Sequence, residues 1–201
     1  MKVLVIQVGM LGTNCYIIYN ENTLEGVIID PGEDAKHILN VIEEKKLKIE
    51  AIFLTHGHHD HIGALKEVKE SLKVDVYLNK NDNYLVEEHF AGMLNQNEKL
   101  VDIFYADGDI IKKAGFEFKI FETPGHTRGG VCILCGEIMF SGDSIFAESI
   151  GRTDFPGGSY EDLLDSIKSK ILPLGDSIML LPGHGPSTTI GHEKMYNPFL
   201  R

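Results

Sequence analysis

Short apolar runs separated by turn residues open the chain. The runs KVLVIQV, CYIIYN and GVIIDPG are typical of strands bounded by Gly, Asn or Pro. Residues 34–47 instead place Ile38, Val41 and Ile42 on one stripe at helical spacing, which predicts a helix. A strand AIFLT, a helix IGALKEVKESL and a strand VDVYLN follow. Residues 81–100 are polar and ambiguous, and we expect a short helix and a loop there.

The second half of the chain repeats this mixture of strands and helices. Strand-forming segments lie around residues 109–121, 130–141 and 177–181, and SYEDLLDSIKSKIL at 159–172 predicts a helix. Hairpin-like strand pairs mixed with helices predict an α+β fold, in which sheets pack together and helices cover them. The length fits one domain that spans residues 1–201.

Four apolar runs each lead directly into a residue that can bind a metal ion. These runs are IFLTH, FKIFETPGH, EIMFSGD and IMLLPGH, and they end at His56, His126, Asp143 and His184. Three of the four pass through a glycine just before the candidate ligand, which lets backbone segments approach closely. If these strand ends share one edge of the sheets, their side chains converge on one rigidly held site.

The segment THGHHDHIG, residues 55–63, holds the densest group of candidate ligands. His56 and His58 are two apart on an extended strand end, so they point the same way. Asp60 and His61 come at the start of the next helix and are expected to turn away from that pair. His59 falls out of phase with both groups, and we do not expect it to bind metal.

Seven side chains therefore form two candidate ligand sets. Three histidines with an open position are typical of a catalytic zinc site, and seven ligands exceed what one tetrahedral ion can use. We expect two divalent ions per chain, with Zn²⁺ as the first expectation and Fe²⁺ or Mn²⁺ suited to the same donors. The first set is His56, His58 and His126, the second is Asp60, His61 and His184, and Asp143 is the expected bridge.

Composition narrows the functional classes. The net charge of −11 argues against a nucleic-acid partner, which would need clustered Lys and Arg. The apolar runs are too short to span a bilayer, and the start of the chain lacks the features of a signal peptide, so we expect no membrane association and a cytoplasmic location. Cys15, Cys132 and Cys135 are interpreted as reduced core residues. Three further histidines are interpreted as solvated: His37, His89 and His192.

The motifs together resemble those of the metallo-β-lactamase superfamily over essentially the whole chain. THGHHDH fits its His-x-His-x-Asp-His signature, and TPGHT, FSGDS and LPGHG fit its later metal motifs in order. TNCYII near the start, and GRTDFPGGSYEDLLDSIKSKILPLGD and PGHGPSTTIGHEKMYNPFL near the end, resemble the short-form glyoxalase II (hydroxyacylglutathione hydrolase) branch. The resemblance implies an αββα four-layer sandwich with a dinuclear site at its edge.

The resemblance also implies a reaction. It is the hydrolysis of S-2-hydroxyacyl thioesters such as S-lactoylglutathione, by attack of a metal-bound hydroxide on the thioester carbonyl. In this reading Asp60 binds one metal and orients the hydroxide. Full-length glyoxalase II adds a C-terminal glutathione-binding helical domain, which we do not expect here because the chain ends at Arg201. Arg152 falls where the longer enzymes place a basic glutathione contact, whereas Asp154 falls where they place a tyrosine, so we expect a loose grip on the thiol.

Other classes share parts of these motifs. Persulfide dioxygenases resemble this chain in fold, signature and the GRTDF segment, and they hold one iron with residues that match His56, His126 and Asp143. The intact LPGHGP favours a dinuclear hydrolase. The acidic balance disfavours a nuclease, and Asp143 as bridge and the missing signal peptide disfavour a secreted β-lactamase. A flavo-diiron enzyme is disfavoured because His58 stands where those enzymes resemble a Glu site and because no flavin domain follows. A metal-binding protein without catalytic activity is disfavoured because the predicted site is open. The sequence does not define the oligomeric state.

Overall fold

Neighbouring residues on the early strands pack into two different cores. Ile17 and Ile28 lie in a core beneath helices, whereas Ile18 and Ile29, one residue further along, lie in a core between two sheets. Side chains alternate between the faces of a sheet, so a sheet covered on both faces needs nearly continuous apolar strands. This is why the strands of this half are unbroken apolar runs in the sequence.

The computed structural model describes residues 1–95 and 99–201. Its first sheet is formed by six strands: β1 (Lys2–Val8), β2 (Thr13–Tyr19), β3 (Glu25–Ile29), β4 (Lys48–Phe53), β5 (Asp75–Asn79) and β6 (Ile103–Tyr105). They lie side by side in chain order. The first three pair antiparallel, and β3 to β6 pair parallel with helical crossovers between them.

The second sheet is formed by residues that follow the first sheet in the chain. Its strands are β7 (Ile110–Lys113), β8 (Phe116–Glu122), β9 (Val131–Cys135), β10 (Ile138–Gly142), β13 (Met179–Pro182) and β14 (Thr188–Thr189). They lie in the order β14-β13-β10-β9-β8-β7, and β10 and β13 run parallel. A separate small hairpin joins β11 (Ile145–Phe146) to β12 (Ser149–Ile150).

Among the described residues, six α-helices cover the outer faces of the two sheets. They are α1 (Ala35–Glu44), α2 (His59–Ile62), α3 (Leu65–Leu72), α4 (Asn83–His89), α5 (Tyr160–Ser166) and α6 (Ile190–Tyr196). Ile38 of α1 and Leu65 of α3 are fully buried against the first sheet. Leu163 of α5 and Ile167, in the π-helical turn that continues it, pack on the second sheet. The order helix, sheet, sheet, helix confirms the expected αββα sandwich.

Several local expectations can be compared with this fold. The segments around 109–121 and 130–141 each fold as a hairpin, β7–β8 and β9–β10. The short helix expected within 81–100 forms as α4, while residues 96–98 of that segment lie outside the described residues. In the described part of the chain, every helix is too short or too polar to cross a bilayer.

The three cysteines are buried thiols without a disulfide, as expected of core residues. Cys132 and Cys135 of β9 face opposite cores, which follows from their spacing of three on a strand. Burial raises the pKa of each of these two thiols to about 11, so neither is a reactive thiolate at neutral pH.

Candidate metal centre

The predicted convergence of strand ends is present in the structure. Strands β4, β8, β10 and β13 end at the same edge of the sandwich, and each leads within four residues into a candidate ligand. The first sheet contributes through the loop after β4 and the short helix α2, and the second sheet through the loops after β8, β10 and β13. All seven predicted ligands lie together there: His56, His58, Asp60, His61, His126, Asp143 and His184.

The first predicted set is closely packed. The distance from His56 Nε2 to His58 Nδ1 is 3.1 Å, and from His58 Nδ1 to His126 Nε2 is 2.9 Å. These three nitrogen atoms all lie within 4.8 Å of one another, a spacing that one metal ion can bridge.

The second predicted set adjoins the first. Asp60 Oδ2 lies 3.1 Å from His184 Nε2 and 3.8 Å from His61 Nε2. The two sets are closer than the sequence indicated, since the rings of His56 and His61 have centroids only 4.1 Å apart. Asp60 and His61 therefore do not turn away from the His56 pair, because α2 folds back over the strand end that carries it.

Asp143 lies between the two sets. Its Oδ2 is 3.4 Å from His126 Nε2 and 3.7 Å from His184 Nε2, and its Oδ1 is 3.4 Å from His61 Nε2. One carboxylate thus faces ligands of both sets, which is the arrangement expected of a bridge.

Partners outside the cluster fix the ring orientations of three of the histidines. Nδ1 of His126 is 2.7 Å from the carbonyl oxygen of Arg152, and Nδ1 of His184 is 3.3 Å from that of Leu11. Nδ1 of His61 is 2.9 Å from Asp30 Oδ2. With the remaining proton held at each Nδ1, the Nε2 lone pair of the neutral imidazole is directed at the cluster, which is typical of metal-binding histidines.

Asp30 is an orienting residue that the sequence reading missed. It accepts hydrogen bonds from the backbone N–H and the hydroxyl of Thr55 at 2.7 and 2.6 Å, and Thr55 Oγ1 lies 3.1 Å from His56 Nδ1. Through these contacts one buried carboxylate supports both His56 and His61. Its signal was in the sequence, because Asp30 follows the apolar run of β3 as the ligands follow theirs.

Asp82 is a second missed residue, and it ties two ligand loops together. Its Oδ2 accepts from the backbone N–H of Gly57 at 3.0 Å and from the Thr127 hydroxyl at 2.7 Å, and its Oδ1 accepts from Gly129 N–H at 2.6 Å. Gly57 separates two ligands of the first set, and Thr127 follows the third. No pattern in the sequence predicts this role of Asp82.

Gly183, which precedes His184, is required by the closeness of the cluster. A Cβ atom there would collide with Asp143 Oδ1 and would stand 2.6 Å from His61 Cε1. The glycine before the ligand therefore leaves the space that the bridging carboxylate and the histidine fill.

Two buried polar atoms of the cluster without hydrogen-bond partners indicate whether the site fits metal ions. His61 Nε2 and Asp143 Oδ1 are buried and lack a hydrogen-bond partner in the described structure. Buried polar atoms are almost always paired, so two such atoms that face each other among five further ligands fit divalent ions. The donor set of imidazoles and carboxylates suits Zn²⁺, Fe²⁺ and Mn²⁺ alike.

The protonation states of several ligands also fit metal binding. Burial and the nearby His126 lower the pKa of His58 to about 4, and burial together with His61 lowers the pKa of His56 well below its usual range. Both imidazoles are then neutral at pH 7, which is the form that binds a metal. Burial opposes ionisation of Asp143, but its interactions with His61 and the charges of His126 and His184 together outweigh burial and keep the pKa of Asp143 below its usual value.

The remaining histidines lie outside the cluster. His59 projects into solvent, with 66% of its side chain exposed, as its phase on α2 predicts. His37 is exposed on α1, and His89 and His192 are half-buried at the surface, where His192 Nε2 lies 3.0 Å from Glu148 Oε1.

A cavity of about 710 Å³ opens onto the cluster, with His58, Asp60, His126, Asp143 and His184 in its floor. Its walls are mostly apolar, which is typical of sites for small molecules. Arg152, for which the family resemblance implies a substrate contact, also lines it. The apolar wall residues are Leu11, Tyr84, Leu85, Phe146, Ile150, Phe155 and Pro156.

Comparison with known proteins identifies relatives along the whole chain. The family model described as Metallo-beta-lactamase superfamily matches residues 8–184. The hydroxyacylglutathione hydrolase GloC of Haemophilus influenzae is 40% identical over 209 residues, an alignment that covers 100% of this chain and 98% of that protein.

Two solved structures share the architecture. The crystal structure of the BLEG-1 B3 metallo-beta-lactamase has a TM-score of 0.90 and 38% identity, and the match covers 99% of each chain. That of ETHE1 from Myxococcus xanthus has a TM-score of 0.85 and 28% identity, over 98% of this chain and 84% of that one.

Proposed function

The chain belongs to the metallo-β-lactamase superfamily, and from this premise we propose that it is a dinuclear metal-dependent hydrolase of S-2-hydroxyacyl thioesters such as S-lactoylglutathione. The observation that carries the proposal is the convergence of seven candidate ligand side chains, in two adjoining sets joined by Asp143, at the base of an open cavity that five of them line. The likeness to GloC along its full length supports the choice of a thioester.

The chemistry at the floor of the cavity is hydrolytic. Two divalent ions held there would act as Lewis acids that polarise the thioester carbonyl and lower the pKa of water. Hydrolysis of this kind requires no Ser or Cys nucleophile. The three cysteines are buried in the cores, and Ser149, which lines the cavity, donates its hydroxyl to the carbonyl oxygen of Ile150 at 3.5 Å. A thiol leaving group has a pKa of about 8.5, so it departs readily as thiolate.

Asp60 is the residue proposed to orient the attacking water. Thr13 Oγ1 donates a hydrogen bond to Asp60 Oδ2 at 3.2 Å, and His184 Nε2 lies 3.1 Å from the same oxygen. Burial opposes ionisation of Asp60, but the hydrogen bond and charge of His184 and the charge of His61 hold its pKa well below the usual range. An ionised, fixed carboxylate can accept a hydrogen bond from water and set the direction of attack.

The acyl and thiol halves of the substrate would meet different surroundings. The small hydroxyacyl group lies over the ligand cluster, where polar groups are dense. The thiol half lies along apolar walls that include Leu85 and Phe155, with Arg152 at the rim. Few polar contacts to the thiol should give a high Michaelis constant and modest selectivity among thiols.

A persulfide dioxygenase is the second candidate, because the chain resembles ETHE1 in fold and at 28% identity. Such an enzyme would use one iron in the set that contains His56 and His126. The complete second set, Asp60, His61 and His184, favours the hydrolase because it supplies ligands for a second ion.

A substrate panel tests the proposal. Metal-loaded protein is assayed with the lactoyl thioesters of glutathione, coenzyme A and N-acetylcysteamine, and chelator-treated protein serves as the control. We expect metal-dependent cleavage of several thioesters, with modest discrimination among them. A glutathione persulfide with oxygen-uptake measurement and a chromogenic β-lactam complete the panel. Inert thioesters together with oxygen uptake would assign the chain to the dioxygenases, and cleavage of the β-lactam alone to the lactamases.

A further inference from the structure

Arg152 is the one Lys or Arg among the described residues that line the cavity. It follows β12, and its guanidinium lies over the ring of Phe155, with Cζ 4.0 Å from the ring centroid. Phe155 in turn stands with its ring centroid 5.3 Å from that of His58. A ligand that extends from the ligand cluster along Phe155 therefore reaches Arg152, which is the natural partner for a negative charge at its far end.

The guanidinium of Arg152 already forms an ion pair with the carboxylate of Asp154. Arg152 Nε donates to Asp154 Oδ1 and Arg152 Nη2 donates to Asp154 Oδ2, both at 2.7 Å. Two parallel bonds of this kind form the geometry with which guanidinium binds a carboxylate from any source. The opposite edge of the guanidinium keeps free donors, but its charge is neutralised and one of its two binding edges is filled.

We propose that Asp154 is a specificity-determining residue that competes with the substrate for Arg152 and so lowers the affinity of the cavity for thioesters whose thiol carries a free carboxylate. The choice of thioesters as ligands rests on the proposed function. Thiol halves that are neutral at this position do not need Arg152, and for them Asp154 makes little difference. The ion pair thus reduces the preference for anionic thiols that Arg152 without Asp154 would give the cavity.

The size of the effect follows from the exposure of the pair. Both side chains are more than half exposed, at 59% and 67%. Exposed ion pairs are weak, and their strength corresponds to roughly a two- to five-fold change in a binding constant. Asp154 should therefore adjust selectivity within that range, and it should not abolish binding.

Removal of the Asp154 charge would also strengthen the binding of anionic ligands without any role for Arg152, because the chain is acidic and Glu88 lines the same cavity. A double-mutant cycle separates the two causes. The four proteins are the unmodified chain, Asp154→Asn, Arg152→Gln and the double variant, each loaded with metal and checked for equal metal content. All the changes lie on the surface, so the fold is retained.

The binding test uses S-methylglutathione, which carries the glutathione carboxylates and cannot be hydrolysed. By calorimetry, Asp154→Asn should tighten its binding about two- to five-fold, and the same change in the Arg152→Gln background should give no gain. In parallel, the ratio of the KM for S-lactoylglutathione to the KM for S-lactoyl-N-acetylcysteamine should fall by a similar factor in Asp154→Asn.

An equal gain in both backgrounds, or no gain in either, would overturn the inference. Failure of the proposed function gives a different result, because inert thioesters would remove the kinetic effect while the calorimetric cycle still reports on the pair. Thioester cleavage with an unchanged KM ratio would leave the hydrolase in place and reject the role of Asp154.

Discussion

At the scale of single residues, His59 and Asp60 are adjacent in the chain but have different roles. Asp60 is buried and faces His184, whereas the side chain of His59 is 66% exposed and lines the cavity without joining either ligand set. The difference follows from the helical phase alone, because consecutive residues on a helix are about 100° apart. Two substitutions at adjacent positions should therefore have very different consequences.

We expect Asp60→Asn to lower kcat/KM for S-lactoylglutathione by at least about 100-fold, equivalent to roughly 3 kcal/mol of transition-state stabilisation. The amide lacks the negative charge and replaces one acceptor oxygen with a donor NH2 group, so it should orient the attacking water poorly. His59→Ala should stay within about two-fold of the unmodified protein, since the exposed His59 side chain lines the cavity but belongs to neither ligand set, and its truncation costs the fold little. Steady-state kinetics with equal metal content measure both, and comparable losses would contradict the assignment of Asp60.

Most candidate ligands were predictable because each follows an apolar strand directly, and the sequence displays that pattern. Asp30 follows the same pattern after β3, but the Pro-Gly pair after it is typical of a turn, so only the structure shows its contacts with Thr55 and His61. Asp82 could not be predicted, because its partners Gly57 and Thr127 lie 25 and 45 positions away and only the packing of two loops brings them to it.

At the scale of elements, the helix predicted across residues 62–72 is divided into α2 and α3. Gly63 lies between them, and a Cβ atom there would collide with the carbonyl oxygen of Gly32. The break lets α2 turn its ligands toward the cluster while α3 packs Leu65 and Val68 on the sheet. Helical periodicity cannot reveal such a break, because its cause is a loop from another part of the chain.

The loops that carry the first ligand set depend on Asp82, which is fully buried. Asp82→Ala would leave the backbone N–H groups of Gly57 and Gly129 without their acceptor. Each buried donor left unsatisfied costs about 1–3 kcal/mol, so we expect a loss of roughly 2–5 kcal/mol in the free energy of unfolding. We also expect weaker binding of the ion held by His56, His58 and His126, and little change at the other set.

Urea unfolding and stepwise metal titration measure these two effects. Asp75→Ala is the matched control, since Asp75 is an exposed aspartate on the neighbouring strand β5 and should change stability by less than about 0.5 kcal/mol. Equal weakening at both ligand sets would show that Asp82 stabilises the fold in general and does not position the first set.

At the scale of the whole molecule, the ligand cluster concentrates seven candidate metal ligands in a chain of 201 residues. We expect elemental analysis of fully loaded protein to give two ions per chain. A reproducible ceiling of one ion would reject the dinuclear proposal and favour the dioxygenase.

Removal of the ions should lower the melting temperature. A ligand that binds the folded state at 100 times its Kd stabilises it by about 2.7 kcal/mol, and in a domain of this size 1 kcal/mol shifts Tm by about 2–4 °C. Chelator treatment should therefore lower Tm by roughly 5–10 °C in a calorimetric scan, and added Zn²⁺ should restore it. An unchanged Tm would contradict tight metal binding to the folded chain.

The two sheets are consecutive in the chain, and the exposed segment 106–109 joins them. A cut there would leave one fragment with His56, His58, Asp60 and His61, and the other with His126, Asp143 and His184. Neither fragment alone could provide all members of either predicted set, because His126 completes the first and His184 the second. The ions would consequently join the halves of a nicked chain, and hydrolysis would require both fragments and metal together.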